Sequence, residues 1–261
     1  MTIGRAFLLF VAGIGGGLTG SIAGLASLVT YPALLAYGLP AVTANVTNTV
    51  ALVFSSTGSI WGSWPELRDQ LPRVVPLSLT GMVGGALGGL LLLHTSADSF
   101  EKVVPWLIAI AAAAILLRRR LVVAATEADH LPTVAGHDVG HRAGWGLLVA
   151  VGVVGIYGGY FGAGAGVMML ALLLFVTGEP LPSANGVKNA VLGCANGIAA
   201  IGFVFFGDVR WAVVAPLGLG LLIGGRVGPI VVRRAPAGPL RIAIAVAGLG
   251  LAIKLGIDAY R

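Results

Sequence analysis

Apolar residues in this chain run in long tracts that charged residues do not interrupt. Between Arg5 and Glu66 there is no acidic or basic side chain, and the intervals 74–97, 103–117, 143–178, 189–207 and 211–225 are equally free of them. A bilayer crossing needs about 20 mostly apolar residues, and several of these tracts are that long. The pattern predicts an all-α, polytopic transmembrane protein of about eight spans (seven to nine), at 6–28, 43–62, 74–93, 101–118, 145–175, 186–206, 211–232 and 239–257. Pro32, Pro40, Pro65, Pro72, Pro132, Pro180, Pro182 and Pro236 fall between spans on this reading, where helices end or chains turn. The first tract resembles the start of a signal peptide, but hydrophobicity continues well past it, so it reads as a retained first span.

Composition agrees. Of 261 residues, 57% are hydrophobic and only 10% charged, against about a quarter charged in soluble domains. The net charge of +6 comes from 16 Lys plus Arg against 10 Asp plus Glu. Arg118, Arg119, Arg120, Arg233 and Arg234 flank apolar tracts, which reads as topology control by the positive-inside effect and gives no reason to expect nucleic acid. The single cysteine, Cys194, excludes an internal disulfide and a cysteine cluster for zinc.

The polar stretch 119–144 divides the chain into a first transmembrane repeat (1–118) and a second (145–261). Its histidines His130, His137 and His141 fit a solvated linker better than a metal site. The halves share an ordered set of matches. Gly13–Gly20 aligns with Gly155–Gly162, Gly24 with Gly166, and Leu39-Pro40 with Leu181-Pro182, all at an offset of 142; small slips then pair Asn48 with Asn189 and Gly84-Gly85 with Gly224-Gly225. Duplication is the usual plan of secondary transporters, with the substrate site where the repeats meet; channels can be duplicated too.

Each half opens on a glycine-rich segment, 13–24 and 155–166, including Gly16, Gly17, Gly20, Gly159 and Gly162. We expect these first helices to be broken, because irregular backbone at membrane depth is tolerated where it lines a cavity, and a broken helix offers N–H groups and a positive dipole end to an anion. Eight simple crossings would put Arg118–Arg120 and Arg233-Arg234 on opposite sides. A segment 145–175 that breaks and doubles back would remove that conflict and invert the halves; alternatively, the second cluster lies on the disfavoured side, or one of the spans is misassigned.

A polar cluster follows each glycine segment: Asn45, Thr47 and Asn48 in the first half, Asn185, Lys188 and Asn189 in the second. Such groups cap helices and snorkel at an interface, or they face a cavity. Lys188 could balance an anion. Arg226, inside an apolar run, is a further candidate, with snorkelling as its alternative; Ser55, Ser56, Thr57 and Asn196 are weaker cavity liners. The acidic residues fall in short loops, and no P-loop, Gly-x-Ser-x-Gly elbow or His-Glu-x-x-His occurs, so no enzymatic activity, metal or cofactor is expected.

The motifs Gly15-Gly16-Gly17-Leu18-Thr19-Gly20, Tyr31-Pro32-Ala33-Leu34-Leu35, Leu39-Pro40, Ala44–Thr49, Tyr157–Gly164 and Lys188-Asn189 together resemble the sulfite exporter TauE/SafE family, also described as the toluene-sulfonate-uptake permease group. The resemblance covers nearly the whole chain outside 119–144. It implies a secondary transporter of small, sulfur-containing anions (sulfite, sulfonate or sulfoacetate type), with protons as the candidate coupling ion, resident in the bacterial inner membrane. A passive anion channel and a non-transporting assembly subunit remain the alternatives. Thr47 stands where the second copy has Lys188, so at most one half supplies the lysine.

Overall fold

A computed structural model describes residues 2–109 and 144–234, with Ile253 and Ile257. The linker histidines and most of the expected span 239–257 lie outside these residues. The described chain is helical: α1 Ile3–Ala23, α2 Ala26–Tyr37, α3 Ala41–Gly62, α4 Trp64–Leu67, a 3-10 turn, then α5 Leu71–His94. Helix α6 occupies 97–109. After the linker come α7 Trp145–Tyr160, α8 Ala165–Thr177, α9 Leu181–Phe206 and α10 Trp211–Arg234. No strand occurs among the described residues.

Four described helices are long and apolar enough to cross a membrane: Ile3–Ala23, Trp64–His94, Leu181–Phe206 and Trp211–Arg233. Two expected spans are instead split. The tract 6–28 ends as a helix at Ala23, and 145–175 becomes α7 and α8, separated by 161–164. Gly24 stops α1 in the left-handed region (φ 77°), its N–H bonding to Gly20 O while Leu25 N–H reaches back to Thr19 O, the pairing that closes a helix C-terminus. A methyl group on Gly24 would also lie 2.5 Å from the Val167 nitrogen. The second expected break falls inside 155–166, at 161–164, whereas the first falls only at the end of 13–24, at Gly24. The rest of both segments is regular helix.

The glycines inside those helices serve packing. Each costs about 1 kcal/mol relative to alanine in a helix, but lets backbones approach closely. Gly13 lies on Leu217 and Leu221, Gly17 on Leu221 and Gly225, and Gly228 on Ser21, so α1 and α10 run side by side in one direction. Gly84 and Gly88 likewise meet Gly152, Ile156 and Tyr160, setting α5 parallel to α7. Gly58 and Gly62 lie along Leu222, Arg226 and Pro229, so α3 runs with α10; Gly81, Gly85 and Gly89 lie along Val191, Ala195 and Ala199, so α5 runs with α9. Gly186 and Gly193 meet Ser63 and Ser56, which makes α3 and α9 antiparallel. The outcome is two sets of three helices, α1, α3 and α10 pointing one way and α5, α7 and α9 the other.

Helix α2 turns back beside α1, with Gly16 against Thr30, and Arg5 at the start of α1 sits 5.6 Å from the Tyr37 ring at the end of α2. Helix α8 returns to the side where α7 began, since Glu179 just beyond it pairs with Arg73 at the start of α5. Both form hairpins whose turns, Gly24 and Gly166, touch. Pro32 lies inside α2 and not between spans; Pro65, Pro72 and Pro182 occupy first turns of helices, where a missing N–H costs little.

The outside is apolar and the inside carries polar groups. Phe7, Leu8, Leu79, Val83, Leu87, Val149, Val153, Phe205 and Ile223 are exposed, whereas Asn45, Thr47, Asn48, Asn185, Lys188 and Asn189 are buried. That inversion suits a lipid surround. Trp61, Trp64 and Trp145 end helices at one face and Trp211 at the other, the placement of interfacial aromatic belts.

Candidate functional site

The two hairpin turns meet two polar helix starts. Residues Gly20, Gly24, Ala26 and Ser27 from the first hairpin and Gly162, Ala165 and Gly166 from the second enclose a cavity of about 60 Å³ with Ser55, Ser56 and Ser59 of α3 and Lys188, Asn189 and Asn196 of α9. The first turns of α2 and α8 both border it. Helix N-termini leave N–H groups without intrahelical partners and carry a partial positive charge.

Lys188 is fully buried, and its ammonium donates to Gly20 O at 3.0 Å and Ser21 O at 3.2 Å, in the last turn of α1. Those carbonyls lie at the negative end of the α1 dipole, which favours a cation there. Snorkelling to water, the alternative for this side chain, is therefore not what the fold does with it. The lysine places its amine at the cavity wall between the two hairpins.

The first-half cluster is engaged differently. Asn45 Nδ2 donates to Tyr160 O at the end of α7, holding the second hairpin, and Thr47 Oγ1 accepts the Arg210 N–H. Asn48 joins α3 to α2: Thr30 Oγ1 donates to its Oδ1 at 2.5 Å, and its Nδ2 donates to Ser27 Oγ at 3.1 Å. Asn189 borders the cavity with Nδ2 3.5 Å from Ser63 Oγ, and Asn185, one helical turn earlier, is buried but is not among the cavity residues.

Of the other expected residues, Gly20 and Gly162 line the cavity. Gly16 packs on Thr30, Gly17 on α10 and Gly159 on Gly85, so these three set helix spacing. Arg226 lies on the outer surface, its guanidinium 3.4 Å from the Trp61 ring centroid, and is not among the cavity residues. Ser55, Ser56 and Asn196 do line the cavity, while Thr57 is exposed and bonds Val53 O. Ser27 and Ser59 were not singled out from the sequence. Ser27 follows the Gly24 break by three positions, and that proximity was the available signal.

Two ion pairs bridge elements on the face where α3 ends and α5 begins. Arg73 pairs with Glu179, whose other oxygen accepts from Ser183, and Arg233 makes a two-point contact with Glu66 at 2.6 and 2.8 Å.

Several curated proteins are similar to this chain along most of its length. A Sinorhizobium protein named probable membrane transporter protein ORF9 is 27% identical over 253 residues, covering 96% of this chain and 92% of that protein. The Escherichia coli K12 protein named probable membrane transporter protein YfcA is 26% identical over 257 residues, covering 97% and 90%. A Haemophilus influenzae protein named probable membrane transporter protein is 27% identical over 227 residues, covering 85% and 82%. No solved structure matches. The family model of the sulfite exporter TauE/SafE matches residues 9–255, nearly the whole chain, and with this all-helical, lipid-suited architecture the protein belongs to the TauE/SafE family of membrane transporters.

Proposed function

We propose that this protein is a secondary transporter of small anions, with sulfur oxyanions and small sulfonates as the leading substrate class. The observation that carries the reading is Lys188, a buried basic group at a small cavity of mixed polar and apolar lining bordered by two helix N-termini. An anion entering there meets one formal charge, two dipole ends and a ring of hydroxyl and carboxamide groups, all of which favour negative charge. The cavity volume favours a solute of a few heavy atoms over an aromatic sulfonate.

The helix directions support two repeats, 1–118 and 145–261, of opposite orientation. The series α1, α2, α3 and α5 of the first is followed with reversed direction by α7, α8, α9 and α10 of the second. Alternating access by one repeat rocking against the other suits this plan, with the cavity at their meeting point and protons as the candidate coupling ion. We assign the face of Arg68, Arg73, Arg233 and Arg234 to the cytoplasm of the inner membrane. Helix α6 runs toward it, antiparallel to α7 (Tyr157 Oη reaches Leu107 O, and Phe100 lies by Tyr160), and the sequence just beyond carries Arg118–Arg120.

Reconstitution tests this reading. Purified protein in liposomes is screened with sulfite, sulfate, sulfoacetate, taurine and a carboxylate, with and without an imposed pH gradient. Accumulation driven by the pH gradient and abolished by a proton ionophore is expected. Flux that follows only the solute's own gradient would point to a channel, and no flux with any anion would point to an assembly subunit.

A further inference from the structure

We infer that Ser27 is a direct anion ligand of this cavity and that Asn48 and Thr30 act through it, as positioning residues that aim its hydroxyl proton at the substrate. The inference rests on the proposed transport of anions through this cavity. Ser27 is buried in the first turn of α2 and borders the cavity, its Oγ 3.8 Å from where a Cβ on Gly162 would stand at the opposite hairpin.

The hydrogen-bond chain sets the direction of the Ser27 proton. The Thr30–Asn48 separation of 2.5 Å is at the short end of O–H···O and below the N–H···O range, whereas the 3.1 Å between Asn48 and Ser27 is an ordinary N–H···O length; Thr30 Oγ1 also lies 3.0 Å from Ala26 O, the longer of its two contacts. Thr30 therefore faces the Asn48 carbonyl oxygen and Ser27 faces the Asn48 amide. With an N–H pointing at it, Ser27 Oγ is an acceptor on the α3 side, and its single proton is left to turn toward the cavity that Ser27 borders. The Asn48 carboxamide is engaged at both ends, so its contribution to an anion is indirect.

The arrangement has no counterpart in the second repeat. The register that pairs Gly24 with Gly166 puts Met169 opposite Ser27 and Leu172 opposite Thr30, and Met169 is buried in an apolar cluster. Recognition is thus divided: the second repeat supplies the charge through Lys188, and the first supplies an oriented hydroxyl at its hairpin turn.

Sulfite uptake kinetics in liposomes test this with Ser27→Ala, Ser27→Thr, Asn48→Ala and the double variant Ser27→Ala/Asn48→Ala, beside wild type and Lys188→Ala. A lost hydrogen bond to a charged group predicts that Ser27→Ala raises KM by about tenfold or more with kcat little changed. Ser27→Thr, which keeps the hydroxyl, should stay close to wild type. Asn48→Ala should raise KM less than Ser27→Ala and add nothing to it in the double variant, because its effect passes through the serine. An unchanged KM in Ser27→Ala, or additive KM effects in the double variant, overturns the assignment while leaving Lys188 and the transport reading intact. Absence of anion flux in the wild type, or a Lys188→Ala protein with normal flux, sinks the transport reading and this inference with it.

Discussion

The ammonium of Lys188 lies 3.0 Å from the carbonyl oxygen of Gly20, 168 residues earlier in the chain. A cation from α9 thereby sits on the C-terminal turn of α1. It both stabilises the end of a helix that stops inside the protein and charges the cavity that the stop creates. Removing the amine should cost twice, since the carbonyls lose a charged donor and the cavity loses its positive charge. We expect Lys188→Ala to reduce sulfite uptake by about a hundredfold or more, with membrane expression reduced far less. Lys188→Arg should retain partial uptake, read in the same liposomes at matched protein amounts.

The α1–α10 contact yields a stability prediction. A methyl group on Gly17 would stand 2.6 Å from the Gly225 nitrogen, with backbone and not a movable side chain in the way. Nothing lies within 4 Å of a methyl group on Gly202. In detergent, Gly17→Ala should therefore lower the melting temperature clearly, and Gly202→Ala should hold or raise it slightly through better helix propensity. Equal effects of the two variants would refute the packing role assigned to Gly17.

The pairs Arg73–Glu179 and Arg233–Glu66 are partly buried, and each ties an element of 1–118 to one of 145–261. Both lie on one face, so they should hold 1–118 and 145–261 together there and slow access to the cavity from that side. A Ser56→Cys probe in a Cys194→Ala background should react faster with an impermeant thiol reagent added from that face when both pairs are broken by Arg73→Ala and Arg233→Ala. Restoring a pair in reversed polarity (Arg73→Glu with Glu179→Arg) should bring the rate back toward wild type. Breaking the exposed Arg68–Asp69 contact should leave it unchanged, as expected for a surface pair.

Arg226 offers a negative control. Its guanidinium stacks on Trp61 at the outer surface, worth about 0.5–2 kcal/mol depending on solvation. Arg226→Leu should leave the KM for sulfite unchanged while modestly lowering thermal stability. A raised KM would return Arg226 to the site.

Much of the helical layout was legible because lipid imposes a simple rule: uncharged tracts of sufficient length become helices, and loops collect the charges. The polar clusters of α3 and α9 were legible for the complementary reason, since carboxamides and a lysine in apolar sequence need partners. Glycine was harder to interpret. Gly17 and Gly20 lie three positions apart in one run, yet one faces α10 and the other the cavity, a difference set by which side of α1 each occupies and by what packs there. Arg226 and Lys188 are both lone cations in apolar sequence. One reaches an interfacial tryptophan and the other the buried end of α1, and only the positions of the neighbouring helices separate them.

The sequence by itself determined that the chain is membrane-embedded and helical, with glycine-rich segments and polar helix starts recurring at nearly constant spacing. These follow from local physics, the cost of charge in hydrocarbon and the backbone freedom of glycine. The tertiary structure alone decided where the helices break, which way each runs, and that Lys188 meets Gly20 and Ser27 meets Asn48. Those relationships join residues 21 to 168 positions apart, and they exist only once α1, α2, α3 and α9 are packed around one cavity.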